Sequence, residues 1–171
     1  GAVMLGKNNT NEFAGGGDDS SFHGPVQNPW KLGYTPGGSS SGSAASLAAG
    51  MIYGSMGSCT GGSIRVPASN CSVVGFKPTY GLVSRFGVFP LSWSLDHPGP
   101  MARTVEDCAL ILQSVAGYDS KDPSSARVSI PDYASVLNGD IRGIRIGVPK
   151  ELRDGTSKEV DALVEQALGV L

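Results

Sequence analysis

A chain of 171 residues is long enough for one domain with a buried core. Its formal net charge of −2 offers no attraction to nucleic acid or an anionic membrane, and 40% apolar residues are too many for a disordered tail. No signal peptide or bilayer-length apolar stretch is present, and Cys59, Cys71 and Cys108, odd in number and without metal-ligand spacing, read as reduced thiols of a cytoplasmic protein.

Residues 2–5 (Ala2-Val3-Met4-Leu5) read as a buried strand, followed by a polar segment from Lys7 to Phe13. From Gly15 to Gly38, Gly, Asp, Ser and Pro dominate and a loop is expected, with Asn28-Pro29-Trp30 forming a turn. A helix is expected from about Ser41 through Ala44, Ala45, Leu47, Ala48 and Ala49 to Gly50. Alanine favours helix, and small side chains let such a helix pack close to a sheet. Strands are expected at 51–56 and around Val73–Phe76, followed by a turn-rich stretch. Thr104 with Asp107 three positions on reads as an N-terminal cap; Val105, Ala109, Leu112 and Val115-Ala116 recur at helical spacing until Gly117. Residues 118–140 read as irregular, Ile144–Pro149 alternates like a strand, and a last helix follows Thr156, with Glu159 three positions later. Its apolar stripe, Val160, Leu163, Val164, Ala167 and Leu168, runs to Leu171 without a cap, so both ends read as interior to a larger domain. Strands alternating with helices predict an α/β fold.

Two glycine–serine blocks carry the chemistry. One is Pro36-Gly37-Gly38-Ser39-Ser40-Ser41-Gly42; the other, Thr60-Gly61-Gly62-Ser63-Ile64-Arg65, repeats Gly-Gly-Ser 24 residues later. Glycine pairs let backbone N–H groups approach a reacting atom closely. A serine hydroxyl needs a base to become a nucleophile, and consecutive N–H groups of Thr60, Gly61, Gly62 and Ser63 could hold the resulting oxyanion.

These blocks, their separation and their flanks closely resemble the amidase signature family, whose hydrolases and amidotransferases use a Ser–cis-Ser–Lys triad. The resemblance covers essentially the whole chain, as the central part of a single amidase signature domain (residues 1–171) with a mixed β-sheet core covered by helices. It implies that Ser63 is the acylated nucleophile, that Ser39 follows a cis peptide and relays the proton, and that backbone around Thr60, Gly61 and Gly62 forms the oxyanion hole. The family's base is a lysine in a Lys-Asp-Asn segment well upstream. Lys7, in Gly6-Lys7-Asn8-Asn9, matches a different, non-catalytic element, and Lys31 and Lys77 fit no better, so no residue of this chain takes that role. Cys59 stands where many members carry aspartate, so the loop after it must be held in another way. Arg65 is expected to hold that loop through a carboxylate or carbonyl, and the segments Lys77–Arg85 and Ser94–Pro100 are expected to be structural.

The implied activity is hydrolysis of a carboxamide C–N bond, with a small-molecule amide as substrate and no metal or organic cofactor. The alternative is the A subunit of glutamyl-tRNA amidotransferase, which frees ammonia for an amidotransferase partner subunit. The other assembly considered is a homodimer. With its base absent, the isolated chain is expected to be inactive, and a catalytically dead binding module is the competing class. Gly38-Ser39-Ser40-Ser41-Gly42 also fits the G-x-S-x-G nucleophile elbow, with Ser40 as nucleophile, but Tyr34-Thr35-Pro36-Gly37 is a poor strand to precede it. A phosphate-binding loop lacks its lysine.

Overall fold

The structure, a computed structural model, describes residues 2–15, 21–149, 151 and 155–171. Two compact units divide the chain, residues 1–138 and residues 139–171. The first holds helices α1 (Ser41–Ala48), α2 (Arg65–Asn70) and α3 (Val105–Val115) with strands β1 (Gly54–Cys59), β2 (Val74–Gly75) and β3 (His97–Ala102). Helices and strands together give the α/β class read from the sequence.

The three strands form one antiparallel sheet in the order β1-β3-β2. The central strand is the one least expected, because His97-Pro98-Gly99-Pro100 lies in the stretch read as turn-rich. Phe76 N–H donates to Pro100 O (3.0 Å), so Pro100 turns its backbone polar atoms toward the β2 side. Pro98, two residues earlier, faces the same way, past the β2 pairs at Met101 and Ala102. The N–H groups that proline lacks are therefore not ones β1 needs. Strand β1 starts three residues later than expected, at Gly54 rather than position 51. Its Gly-Ser-Met-Gly-Ser run shows no apolar alternation because its neighbours demand small residues: a Cβ on Gly57 would lie 2.8 Å from Ser40 Oγ and 3.0 Å from Met101 Sδ.

Helix α1 forms where its alanines predict it and is buried along nearly its whole length. The Ser43 hydroxyl is satisfied on both sides by β1: Ser43 Oγ donates to Met56 O (3.0 Å) and accepts from Ser55 Oγ (2.9 Å). Ala44 and Leu47 join Cys59, Ile64, Ala68, Cys71 and Met101 in the core. Burying a side chain such as Leu47 or Ile64 contributes about 1.5–3 kcal/mol. Helix α2 accommodates Pro67 in its first turn because Ser63 O, the carbonyl four residues back, accepts from Ser40 N–H instead.

Helix α3 follows its sequence signals. Thr104 Oγ1 accepts from Asp107 N–H (3.0 Å) and the helix ends at Ala116, before Gly117 at φ 147°. Its buried positions are Cys108 and Leu112, one turn apart, whereas Val105 and Val115 face outward. We expect Thr104→Ala to destabilise the protein by about 1 kcal/mol in denaturant unfolding, the usual loss of a side-chain cap. Burial pushes the Cys108 thiol from its ordinary 9.0 up to about 11; a hydrogen bond from the Ala102 backbone opposes the rise and the Asp107 charge adds to it. Its contribution to stability is thus full below about pH 9 and lost as pH climbs toward 11. At pH 8 Cys108 should resist a disulfide reagent in the folded protein and react once urea unfolds it.

Two expected strands do not form. Val3, Met4 and Leu5 are exposed, and no described strand pairs with residues 2–5. In the second unit Ile144–Pro149 is irregular despite its alternation. Alternation marks a face, but a strand also needs a backbone partner. That unit's helix α4 spans Lys158–Val170, and its cap is Ser157, one residue after the expected Thr156: Ser157 Oγ accepts from Val160 N–H (3.3 Å). Thr156 Oγ1 instead donates to Asp161 Oδ1 (2.6 Å). Residues 118–140 are irregular, as read, and so are the described residues between Gly15 and Gly38. No helix among the described residues is long and apolar enough to cross a membrane.

Candidate active site

The first glycine–serine block is held by a strap, residues 9–11. Asn11 N–H donates to Ser39 O (3.2 Å), the Thr10 hydroxyl donates to the same carbonyl, and Gly42 N–H donates to Asn9 O (2.9 Å). The Gly38–Ser39 peptide is cis. Gly37 has φ 76°, and a Cβ there would lie 2.9 Å from Asn70 Nδ2 and Val66 Cγ1, so only glycine fits. The Ser39 hydroxyl is buried and has no hydrogen-bond partner among the described residues.

Ser40 ties the two blocks together. Its N–H donates to Ser63 O (3.2 Å), while its hydroxyl donates to Ser58 O (3.2 Å) and accepts from Ser58 N–H (3.1 Å). A hydroxyl engaged on both sides, with no strand leading into it, is not the exposed nucleophile of an elbow. The structure therefore removes Ser40 from that role.

The second block is the loop between β1 and α2. Ser63 is half-buried, and its hydroxyl has no partner among the described residues. The N–H groups of Gly61, Gly62 and Ser63 likewise meet no acceptor there. Val66 N–H closes on Gly62 O (2.8 Å), and Arg65 Nη2 donates to Gly61 O (3.2 Å), the carbonyl contact expected of it. Cys59 is fully buried in the core. The residue that holds the loop is Asp96, absent from the sequence-derived site: its Oδ1 accepts from Thr60 Oγ1 at 2.5 Å.

One residue on from Asp96, His97 Nε2 lies 3.1 Å from Lys77 Nζ, and His97 Nδ1 lies 2.5 Å from Leu95 O. This geometry assigns the ring proton to Nδ1 and leaves a lone pair on Nε2 to accept from the ammonium. Lys7 is exposed, and none of the described lysines bonds Ser39 or Ser63. Arg85 is structural, donating to Trp93 O (2.6 Å) and, through Nη2, to Ser124 Oγ (2.8 Å) along a cleft of about 450 Å³. At the same cleft burial works to raise the Asp122 carboxyl, but hydrogen bonds from Ser124 and Arg85 N–H outweigh it and hold it below its ordinary value.

An antiparallel sheet packed on small-residue helices, with two hydrogen-bonded Gly-Gly-Ser blocks at its edge, defines an α/β protein with a serine-centred site. The family model for Amidase matches residues 1–171, and the chain belongs to the amidase signature family. It is 51% identical, over 99% of its length, to the A subunit of glutamyl-tRNA(Gln) amidotransferase of Chromohalobacter salexigens, covering 35% of that protein. To the protein of the same name from Desulfatibacillum aliphaticivorans it is 52% identical over 100% of its length, covering 36%. The chain thus spans about a third of the curated relatives it matches. Among solved structures, the corresponding amidotransferase protein from Thermotoga maritima aligns with a TM-score of 0.73 and 48% identity, over 75% of this chain and 28% of that one. The peptide amidase of Stenotrophomonas maltophilia aligns with a TM-score of 0.75 and 45% identity, over 79% and 30%. A protein from a vestigial complex linked to the origins of an s-triazine catabolic enzyme gives 0.87 and 44%, over 92% and 35%.

Proposed function

We propose that the full-length protein is a cytoplasmic amidase that cleaves a carboxamide C–N bond through an acyl-enzyme on Ser63. Both units of this chain belong to one amidase domain in this reading. The observation that carries it is the Ser40 N–H bond to Ser63 O, which joins a buried, unpartnered Ser39 hydroxyl's block to a loop with unclaimed N–H groups. A lysine from outside residues 1–171 takes the proton of Ser39, which in turn takes that of Ser63. Ser63 Oγ attacks the amide carbon, and the N–H groups of the Thr60–Ser63 backbone hold the oxyanion. The C–N bond breaks as the nitrogen is protonated and leaves as ammonia. Water then hydrolyses the ester, releasing the acid and restoring Ser63. No step needs a metal or organic cofactor.

A second reading, the glutaminase component of a tRNA-dependent amidotransferase working with a partner protein, is favoured by the identity above 50% to proteins of that name. A serine-directed phosphonate, followed by peptide mapping of the full-length protein, tests the shared chemistry. One adduct on Ser63 is expected; an adduct on Ser40 would move the nucleophile to the first block, no adduct would leave a binding module, and either overturns the reading. Ammonia release from glutamine against simple carboxamides then separates the two readings.

A further inference from the structure

We propose that Asp96 is a positioning residue for acyl transfer, acting through the Thr60 hydroxyl on the backbone of Thr60–Ser63. The inference rests on the reading of Ser63 as nucleophile.

The β1–β3 register pairs Cys59 with His97, so Thr60 and Asp96 stand opposite each other one step beyond the ladder. Their side chains meet at 2.5 Å, and Asp96 is 6% exposed. The other carboxylate oxygen accepts from Leu91 N–H and Ser92 N–H, each at 2.9 Å, so the carboxylate is itself held by the turn that leads into β3. A loop entered through two glycines needs such a tether. Nothing lies within 4 Å of where a Gly61 Cβ would be, so packing does not restrain that residue, and glycine is the residue with most backbone freedom to lose. The other holds on the loop among the described residues are the Val66 N–H bond to Gly62 O, the exposed Arg65 contact with Gly61 O and the Ser40 N–H bond to Ser63 O. Thr60–Asp96 is the buried hold at the entrance. It sets the Thr60 side chain and with it the direction of the peptide entering Gly61, whose N–H is one of the unclaimed donors.

The test compares Thr60→Val, which keeps the β-branched shape and loses the hydroxyl, with Thr60→Ser, which keeps the hydroxyl, both in the full-length enzyme. Misplacing a catalytic group by about 1 Å can lower a rate roughly 10²-fold. We expect Thr60→Val to lower kcat by about that factor with KM changed less than about threefold, and Thr60→Ser to recover most of the rate. Asp96→Asn should lower kcat less than Thr60→Val, because its amide oxygen can keep the Leu91 and Ser92 donors while its NH₂ donates to the Thr60 hydroxyl and keeps a reversed tether. Adding Thr60→Val to Asp96→Asn should then bring the loss only to about that of Thr60→Val alone. Wild-type kcat in Thr60→Val, a loss confined to KM, or no recovery in Thr60→Ser would overturn the proposal, even if Asp96→Asn fails to fold. Failure of the nucleophile reading shows separately, as absence of a Ser63 adduct in the wild type.

Discussion

Ser63→Ala in the full-length enzyme should lower amide turnover by roughly 10⁴–10⁶-fold, the range seen when a serine hydrolase loses its nucleophile. Stability should not follow, because the Ser63 hydroxyl makes no hydrogen bond among the described residues and the Ser63 carbonyl keeps its bond from Ser40 N–H. Ser39→Ala makes a sharper contrast. A relay that moves a proton in the transition state is worth about 10²–10⁴ in rate, so activity should fall by that much. Yet the Ser39 hydroxyl has no partner among the described residues, so the one bond its removal breaks in the proposed mechanism is that to the lysine outside residues 1–171, worth about 0.5–1.5 kcal/mol. The variant should therefore be slower by orders of magnitude while losing no more than about 1.5 kcal/mol of stability. Ammonia release and thermal unfolding measured on the same preparations check both halves. Turnover retained in Ser63→Ala would sink the assignment, and a stability loss in Ser39→Ala well beyond about 1.5 kcal/mol would show that its hydroxyl has a further structural partner.

The second large effect lies in the strap. Gly42 sits in α1, where alanine would ordinarily favour the helix by about 1 kcal/mol. Here a Cβ would lie 2.2 Å from Asn9 O and 2.7 Å from Asn9 N. Both are backbone atoms, so no side-chain rotation relieves the contact; the strap must move. Forced displacement in a packed site costs about 1–3 kcal/mol, and losing the Gly42 N–H bond to Asn9 O adds about 1 kcal/mol. Gly42→Ala should thus destabilise by about 2–4 kcal/mol in denaturant unfolding, outweighing the propensity gain. Activity should fall as well, since the same strap holds the Ser39 carbonyl through Thr10 and Asn11. Gly61→Ala is the control: nothing lies within 4 Å of its Cβ, so its stability should change by less than about 0.5 kcal/mol. Equal stability of the two variants would show that the strap is not held against α1.

The same contrast, open space at Gly61 and contact at Gly42, shows where sequence reading stops. Both glycines belong to recognisable blocks, but which atoms crowd each one depends on residues far along the chain. Asp96 is the clearest case. It lies in a segment read as structural, and no local signal names Thr60, 36 residues away, as its partner. Ser40 is another, since its pattern fits an elbow and only its bonds to Ser58, 18 residues on, exclude it.

By itself the sequence determined the elements whose causes are local. These are helix α1 from its alanines, α3 from the Thr104–Asp107 cap and Gly117, the irregular stretches rich in Gly, Ser and Pro, and the paired Gly-Gly-Ser blocks that carry the family. Propensity, capping and backbone permissiveness act within a few residues and can be read there. Tertiary structure alone decided that Pro98-Gly99-Pro100 runs through the central strand, that Val3–Leu5 and Ile144–Val148 form none, and that Asp96 holds the loop. A strand and a side-chain tether both need a partner to hydrogen-bond, and that partner is chosen by packing between segments distant in sequence.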